Sequence, residues 1–310
     1  MAKISVVIPV YNVKQYLMEC VNSVLHQSFS DFQIILIDDG STDGSGELCD
    51  SIKDTNSKIT VIHQKNGGLS AARNTGIEWT LNNSECEWIS FVDSDDWVHK
   101  DYLKLLYEAA TENHAKVSVC EFTKTEHRKL QDAEYSNPSI EVWSAEEAYT
   151  LKTNGPAAYA WNKLYSVDCF EALRYPVGKY WEDLYLTHKI LLPLKSIPVV
   201  RVPLYYYYTN PQGIIHSKWS DRHSDYYESN ALFMDYVKSH GNASFYRKML
   251  NNYVYVLNTV YGKVKDNGVY SKNGVSHRKV IKKYARETMI KHFKMLTWNE
   301  KKELLYIIVA

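Results

Sequence analysis

Cysteine is sparse in this chain of 310 residues: Cys20, Cys49, Cys86, Cys120 and Cys169 are scattered, and no CxxC pair occurs. That spacing excludes a disulfide framework and offers no zinc site, and it fits a reducing, cytosolic compartment. Long apolar runs are also missing. The longest late stretch, residues 304–310, falls far short of the roughly 20 residues that span a bilayer. No charged start leads into an apolar leader, so the chain is expected to be neither secreted nor membrane-spanning. Internal repeats and low-complexity segments are absent, which excludes a solenoid. The first apolar run is not followed by G-x-G-x-x-G, which excludes a Rossmann dehydrogenase.

What is present reads as globular: 45% hydrophobic and 23% charged residues, enough chain for one large α/β domain with an appendage or for two modest domains. Net charge is zero, but its distribution is uneven. Residues 1–220 hold 20 Lys+Arg against 28 Asp+Glu, and residues 221–310 hold 16 against 8. An acidic body and a basic tail are expected.

Residues 4–10, ISVVIPV, form a continuous β-branched run, the pattern of a strand buried on both faces of a parallel sheet. Helical spacing follows to Ser28, then a strand at 34–37, a short helix at 47–52, a strand at 59–63, a helix at 69–81 and a strand at 88–92. This β-α alternation predicts a mostly parallel wound sheet, whose ligands bind at the carboxyl ends of the strands. Acids lie at two such ends: Asp38 and Asp39, and Asp93, Asp95 and Asp96. Residues 116–122 read as a further strand, and Ser144 to Glu147 as a capping box opening a helix. Residues 161–208 are aromatic-rich and mixed in period. The tyrosine run 205–208 is expected to be a strand with one face buried and one exposed. Beyond residue 216, helix-period stretches appear at 226–237, 246–260 and 280–295. The expected division is 1–215 for the α/β domain and 216–310 for a basic helical region.

In Asp93-Ser94-Asp95-Asp96, alternate residues of an extended chain point the same way. Asp93 and Asp95 are therefore expected to share a ligand, with Asp96 facing elsewhere as a cap for the next helix. Such oxygen donors suit Mg2+ or Mn2+, which bind through one or two carboxylates plus substrate phosphates. A DxD in isolation is equally consistent with a solvated turn. Its surroundings shift the balance: Pro9-Val10-Tyr11-Asn12 after the first strand, Asp38-Asp39-Gly40-Ser41 after the second, Asn66-Gly67-Gly68 with Arg73 entering a helix, and Trp181-Glu182-Asp183 far downstream.

In that order these segments resemble the inverting family 2 glycosyltransferases of the GT-A fold, strongly over residues 3–125 and more weakly to Tyr208. The resemblance implies that Tyr11 stacks on a nucleotide base, with Pro9, Asn12, Asn66 and Gly68 in the donor-site loops. It implies that Asp39 accepts the uracil N3–H, leaving Asp38 as the structural partner, and that Arg73 meets the base or the diphosphate. Asp93, beside Ser94, would contact the ribose or donor sugar, and Asp95 would hold the Mn2+ or Mg2+ that bridges the diphosphate. Asp183 would be the general base with Glu182 supporting it. Trp161 and Lys163, in a WNK segment, would line the acceptor or phosphate side, and His216 is a candidate ligand for the metal or diphosphate. The QxxRW segment of processive synthases is absent, which favours one sugar per encounter.

The implied donor is a UDP-sugar, and the implied acceptor a saccharide, a lipid-linked sugar or a glycoprotein in polysaccharide or glycan assembly. Two other classes compete. A sugar nucleotidylyltransferase needs a Gly- and Arg-rich opening loop, and this one is Pro9-Val10-Tyr11-Asn12. A non-catalytic partner subunit should have lost an acid, yet Asp93, Asp95, Glu182 and Asp183 are all present. Residues 263–302 hold 12 Lys+Arg against 3 Asp+Glu, interleaved with Tyr284, Phe293 and Trp298. Peripheral contact with an acidic membrane face and packing on the acidic body or another subunit are both consistent with that pattern; nucleic acid is disfavoured for want of a fold signature.

Overall fold

The computed structural model describes residues 3–83, 85–126, 134–135, 138–150, 158–210, 224–267 and 276–309. The chain folds into two compact units. The first comprises Met1–Gly178 and Leu186–Gly213, the second Lys179–Tyr185 and Ile214–Ala310.

The first unit is built on a nine-stranded sheet. Along the chain run β1 (Ile4–Val10), α1 (Lys14–Leu25), β2 (Phe32–Asp38), α2 (Ser45–Thr55), β3 (Ile59–His63), α3 (Leu69–Asn83), β4 (Trp88–Phe91), β5 (Trp97–Val98), α4 (Tyr102–Glu112), β6 (Val117–Thr125), β7 (Ile140–Trp143), α5 (Ala145–Thr150), β8 (Lys163–Ser166), a 3-10 turn (Val167–Phe170), α6 (Glu182–Leu191) and β9 (Ile197–Tyr208). The order across the sheet is β3-β2-β1-β4-β8-β6-β9-β5, with β7 also on β9. Pairing is parallel from β3 to β4 and between β6 and β9. β8, β5 and β7 run against their neighbours. Six strands therefore share one direction, the expected mostly parallel α/β sheet.

The almost wholly apolar run of β1, broken only by Ser5, has a direct cause. Ile4, Val6, Ile8 and Val10 face one core with Leu17, Val21 and Val24 of α1 and Leu103 and Leu106 of α4. Val7 faces the other, with Ile35, Ile37, Ala72, Ile77 and Ile190. Both faces are covered by helices, so no position on the strand is polar by necessity. Gly76 lies where α3 crosses β1, and any Cβ there would meet the Val7 side chain.

Two expectations on this unit are corrected. Tyr205 and Tyr206 are both buried, so the tyrosine run does not alternate inside and outside. At that point β9 is covered on both faces: Tyr205 stacks on Trp161 at 4.6 Å, and Tyr206 lies 5.6 Å from Trp97. Asp96 caps no helix; α4 begins six residues later at Tyr102. The capping box is present, with Ser144 N–H donating to Glu147 and Glu147 N–H to Ser144 Oγ.

The second unit is helical: α7 (Ser224–His240), α8 (Ala243–Asn267), α9 (His277–His292) and α10 (Trp298–Val309). α8 supplies Leu250, Leu257, Val260 and Tyr261 to the core among them. α10 extends beyond the expected helices, and it opens on a second capping box: Thr297 N–H donates to Glu300, whose own N–H donates to Thr297 Oγ1.

Candidate active site at the carboxyl edge of the sheet

Strands β2 and β4 flank β1, so their carboxyl ends lie about 10 Å apart, two strand spacings. The loops that leave β1, β2, β3 and β4 all start on that edge. After β1, Tyr11 stands 49% exposed, free of the packing that claims most aromatics here. Asn12 adopts a left-handed φ of 52°. Its Oδ1 accepts Thr42 N–H at 2.8 Å, and its own N–H donates to Ser41 Oγ at 3.2 Å, so the first two loops brace each other. Pro9 is a buried residue of β1, in register with Ile37.

The two acids at the end of β2 have separate partners. Asp38 accepts Ser41 N–H at 3.0 Å and the His63 Nδ1–H at 2.9 Å. Burial pushes its carboxyl up, but the hydrogen bonds from Ser41 and His63 more than offset this and leave it below the ordinary carboxylate value. His63 also meets Asp50 at 3.1 Å. Asp39 accepts the Gln64 amide at 2.6 Å and the Gly67 and Gly68 N–H groups at 2.9 and 2.7 Å. Gly68 has φ of +85°, which lets two successive amides aim at one carboxylate. Exposed Asn66 precedes them, its backbone close against Gly40.

Arg73 is not a surface salt bridge: at 2% exposure its guanidinium donates to Asp93 Oδ1 at 2.7 Å and lies over the Tyr175 ring at 5.5 Å. A cation brought inside the fold by α3 orients the first acid of the DSD turn, which makes Arg73 a positioning residue.

Ser94 is buried in that turn, and the acids around it have distinct partners. Asp95 Oδ2 accepts the Asn210 amide at 3.0 Å. Buried Asp96 accepts the Tyr205 hydroxyl at 2.7 Å and Tyr208 N–H at 2.8 Å, while Tyr205 Oη accepts Asp93 N–H at 3.1 Å. Burial, then the charges of Asp95 and Asp93, hold the Asp96 carboxyl well above the ordinary carboxylate value. The turn is thus tied to the end of β9, more than a hundred residues away in sequence.

Trp161 and Lys163 face inward, against the expectation that they line the acceptor or phosphate side. Trp161 stacks between Tyr159 and Tyr205, and the Lys163 ammonium donates to the carbonyls of Tyr159 and Trp161 and to Asn162 Oδ1. Asn162, at φ 57°, bends the chain so that the lysine folds back on its own loop. Glu182 and Asp183, the first residues of α6, belong to the second unit, which takes the helix only as far as Tyr185, and directly follow Trp181 at φ 52°. Glu182 is buried; Asp183 is half-buried, with Oδ1 accepting Leu184 N–H at 2.8 Å. His216 lies outside the described residues.

Gln64, Asn210, Tyr205 and Tyr175 were not legible as site residues. Gln64 carried a signal, since it directly follows a parallel strand on the ligand-binding edge. Asn210 and Tyr175 carried none, because only folding brings them to the acids.

Among the described residues no three His, Cys, Asp or Glu side chains are grouped to hold a metal ion by themselves. The donor chemistry nevertheless fits a hard divalent ion. Asp95 and Asp93 offer carboxylate oxygens, the cluster carries surplus negative charge, and Mg2+ or Mn2+ characteristically completes its shell with substrate phosphate and water.

Residues 5–174 match the model of the family described as glycosyl transferase family 2. The glycosyltransferase GlyA of Streptococcus pneumoniae is 36% identical over 229 residues, 71% of this chain but only 32% of GlyA. The chain thus spans about a third of that relative's length. Staphylococcus aureus TarS 1-349, solved with UDP-GlcNAc, superposes with a TM-score of 0.67 at 18% identity, covering 99% of this chain and 89% of that one. The mannosyltransferase PcManGT of Pyrobaculum calidifontis, solved with GDP-Man and Mn2+, gives 0.58 at 14% identity, covering 99% and 86%. Both similarities concern the fold, a GT-A-like α/β architecture.

Proposed function

The chain belongs to glycosyl transferase family 2, and from that premise we propose that it moves one hexose from a UDP-sugar to an acceptor hydroxyl with inversion, assisted by Mn2+ or Mg2+. The observation that carries the reading is the arrangement of one edge: Tyr11, Asp39 and the Asp93 to Asp95 turn stand at the ends of adjacent strands, joined through Gly67, Gly68 and Arg73. TarS solved with UDP-GlcNAc supports a UDP-sugar donor, and PcManGT solved with Mn2+ supports a divalent ion.

In this reading Tyr11 stacks on the base, a contact worth about 1–3 kcal/mol. Asp39, with three of its roughly four lone-pair sites taken by the Gln64, Gly67 and Gly68 donors, has capacity left for the uracil N3–H. Cytosine has no hydrogen there. Asp93, held by Arg73, faces the ribose or donor sugar, and Asp95, held by Asn210, is the principal ligand for the ion. When bound, such an ion stabilises the negative charge that grows on the UDP leaving group.

An inverting displacement needs one base and no covalent intermediate. Asp183 takes the acceptor hydroxyl proton; its partial exposure suits that role better than buried Glu182, which supports it. The acceptor is a saccharide, lipid-linked sugar or glycoprotein, reached in polysaccharide or glycan assembly on the cytoplasmic side.

A thermal-shift and hydrolysis screen of UDP-, GDP- and CDP-sugars with and without Mn2+ tests the donor assignment. The expected result is stabilisation by UDP with Mn2+ and hydrolysis of at least one UDP-sugar. Equal response to CDP would remove the role given to Asp39, and no response to UDP would remove the donor.

A further inference from the structure

The basic tail noted in the sequence has a shape that the transfer reaction leaves unused. On α9, Lys279, Lys283, Arg286 and Ile290 follow one another at spacings of four, three and four residues, and all are exposed. On α10, Trp298, Lys302, Leu305 and Val309 repeat that spacing, again all exposed. Phe293, Lys294 and Met295, between the two helices, are also exposed. The apolar members are unusually open: Ile290 and Val309 are each 79% exposed, Trp298 68% and Phe293 56%.

These are not apolar residues scattered singly over a polar surface, which would need no explanation. They form helical stripes interleaved with cations. Lys301 lies 4.0 Å over the Phe293 ring and Lys302 5.5 Å over that of Trp298, so ammonium groups and rings share one face. Between residues 276 and 309 the chain has nine Lys+Arg against Glu287, Glu300 and Glu303. Glu300 is buried and bonded to Arg247, and Glu287 stands beside Lys283 and Lys291. The exposed charge is therefore overwhelmingly positive.

We propose that the α9–α10 face is a docking surface for an anionic lipid bilayer, with the aliphatic and aromatic side chains entering the headgroup boundary and the lysines meeting lipid phosphates. Charge complementarity selects the occupant: interleaved cations and apolar groups match a surface whose negative charge lies directly above hydrocarbon. No described helix is long and apolar enough to cross a membrane.

The test is co-sedimentation of the full chain with vesicles of phosphatidylcholine alone and of equal parts phosphatidylcholine and phosphatidylglycerol. Binding is expected to the mixed vesicles only, and to weaken with added salt. Lys279→Glu/Lys283→Glu/Lys302→Glu should lower it by about a hundredfold or more, and Trp298→Ser/Leu305→Ser by about tenfold. Circular dichroism melts confirm that each variant is folded, and the two sets act at separate side chains, so one remains readable if the other misfolds. Hydrolysis of a UDP-sugar without vesicles should be unchanged in both. No binding to mixed vesicles, or equal binding by wild type and both variants, overturns the proposal. So does a dimer in sedimentation velocity that these substitutions dissolve without lipid, since the face would then receive a second copy.

Discussion

The sheet unit and the helical unit both bury carboxylates, but they hold them differently. In the helical unit Asp225 meets the Lys179 ammonium at 2.8 Å and Glu300 meets the Arg247 guanidinium at 2.7 Å. At the sheet edge Asp39 is held by an amide side chain and two backbone N–H groups. A cation cancels charge as it orients a carboxylate; neutral donors orient it and leave the charge in place. The helical pairs are staples, whereas the sheet edge keeps a negative field that a divalent ion and a hydrogen-bond donor can use. Arg73 on Asp93 brings one positive charge to a turn of three acids, so it steadies the cluster without neutralising it.

The sharpest break between the two regions should come from Asp95→Ala. Turnover with a UDP-sugar and Mn2+ is expected to fall by about a thousandfold. The urea midpoint should hold or rise slightly, because the acid cluster loses a charge. Normal transfer by this variant would return Asp95 to the status of an ordinary turn residue. Asp183→Asn should lower transfer by about a hundredfold or more with UDP binding intact; an unaltered rate would place the base elsewhere.

Arg73→Met comes next, and its effect is on stability as well as activity. It leaves the partly exposed Asp93 without its cation, which should cost about 1–3 kcal/mol in urea unfolding and weaken donor binding. A loss no larger than that of a surface lysine would show that the pair is dispensable.

A smaller effect tests the loop brace below Asp39. Hydrogen bonds that His63 donates to Asp38 and then to Asp50 raise its pKa above 6.5. The stabilisation is therefore complete below about pH 6.5 and is lost as pH rises through the raised folded-state value. Half-exposed His63 is screened by solvent, so the stability difference between wild type and His63→Gln should be about 0.5 kcal/mol on the acid side and shrink toward alkaline pH. A difference that grows with pH would reverse the assignment. Smallest of all, Lys283→Gln on α9 should change unfolding free energy by less than about 0.5 kcal/mol, since its partner Glu287 is 3.9 Å away on an exposed face.

Much of the fold was legible because its signals are local. The strand at 59–63 is bounded as its apolar run is, and the strand at 4–10 is apolar at every position but Ser5 because both faces pack. The Ser144 capping box forms from residues three apart. α10 was missed although Thr297 and Glu300 carry the same signal, since the lysines at 301 and 302 interrupt its apolar pattern. The tyrosines at 205–208 misled because period-two reasoning assumes one wet face, and β9 is covered on both near its end.

The linear order of residues was enough to place acids and glycines at strand ends, because a parallel wound sheet puts its loops on one edge whatever the side chains do later. It was also enough to separate an acidic body from a basic tail, since charge counts need no coordinates. Only the tertiary structure decided that Arg73 and Lys163 point inward, that Asn210 reaches Asp95, and that Asp96 ties the turn to β9. Those outcomes depend on partners far apart in the chain, and burying a charge is tolerated only where folding supplies the group that answers it.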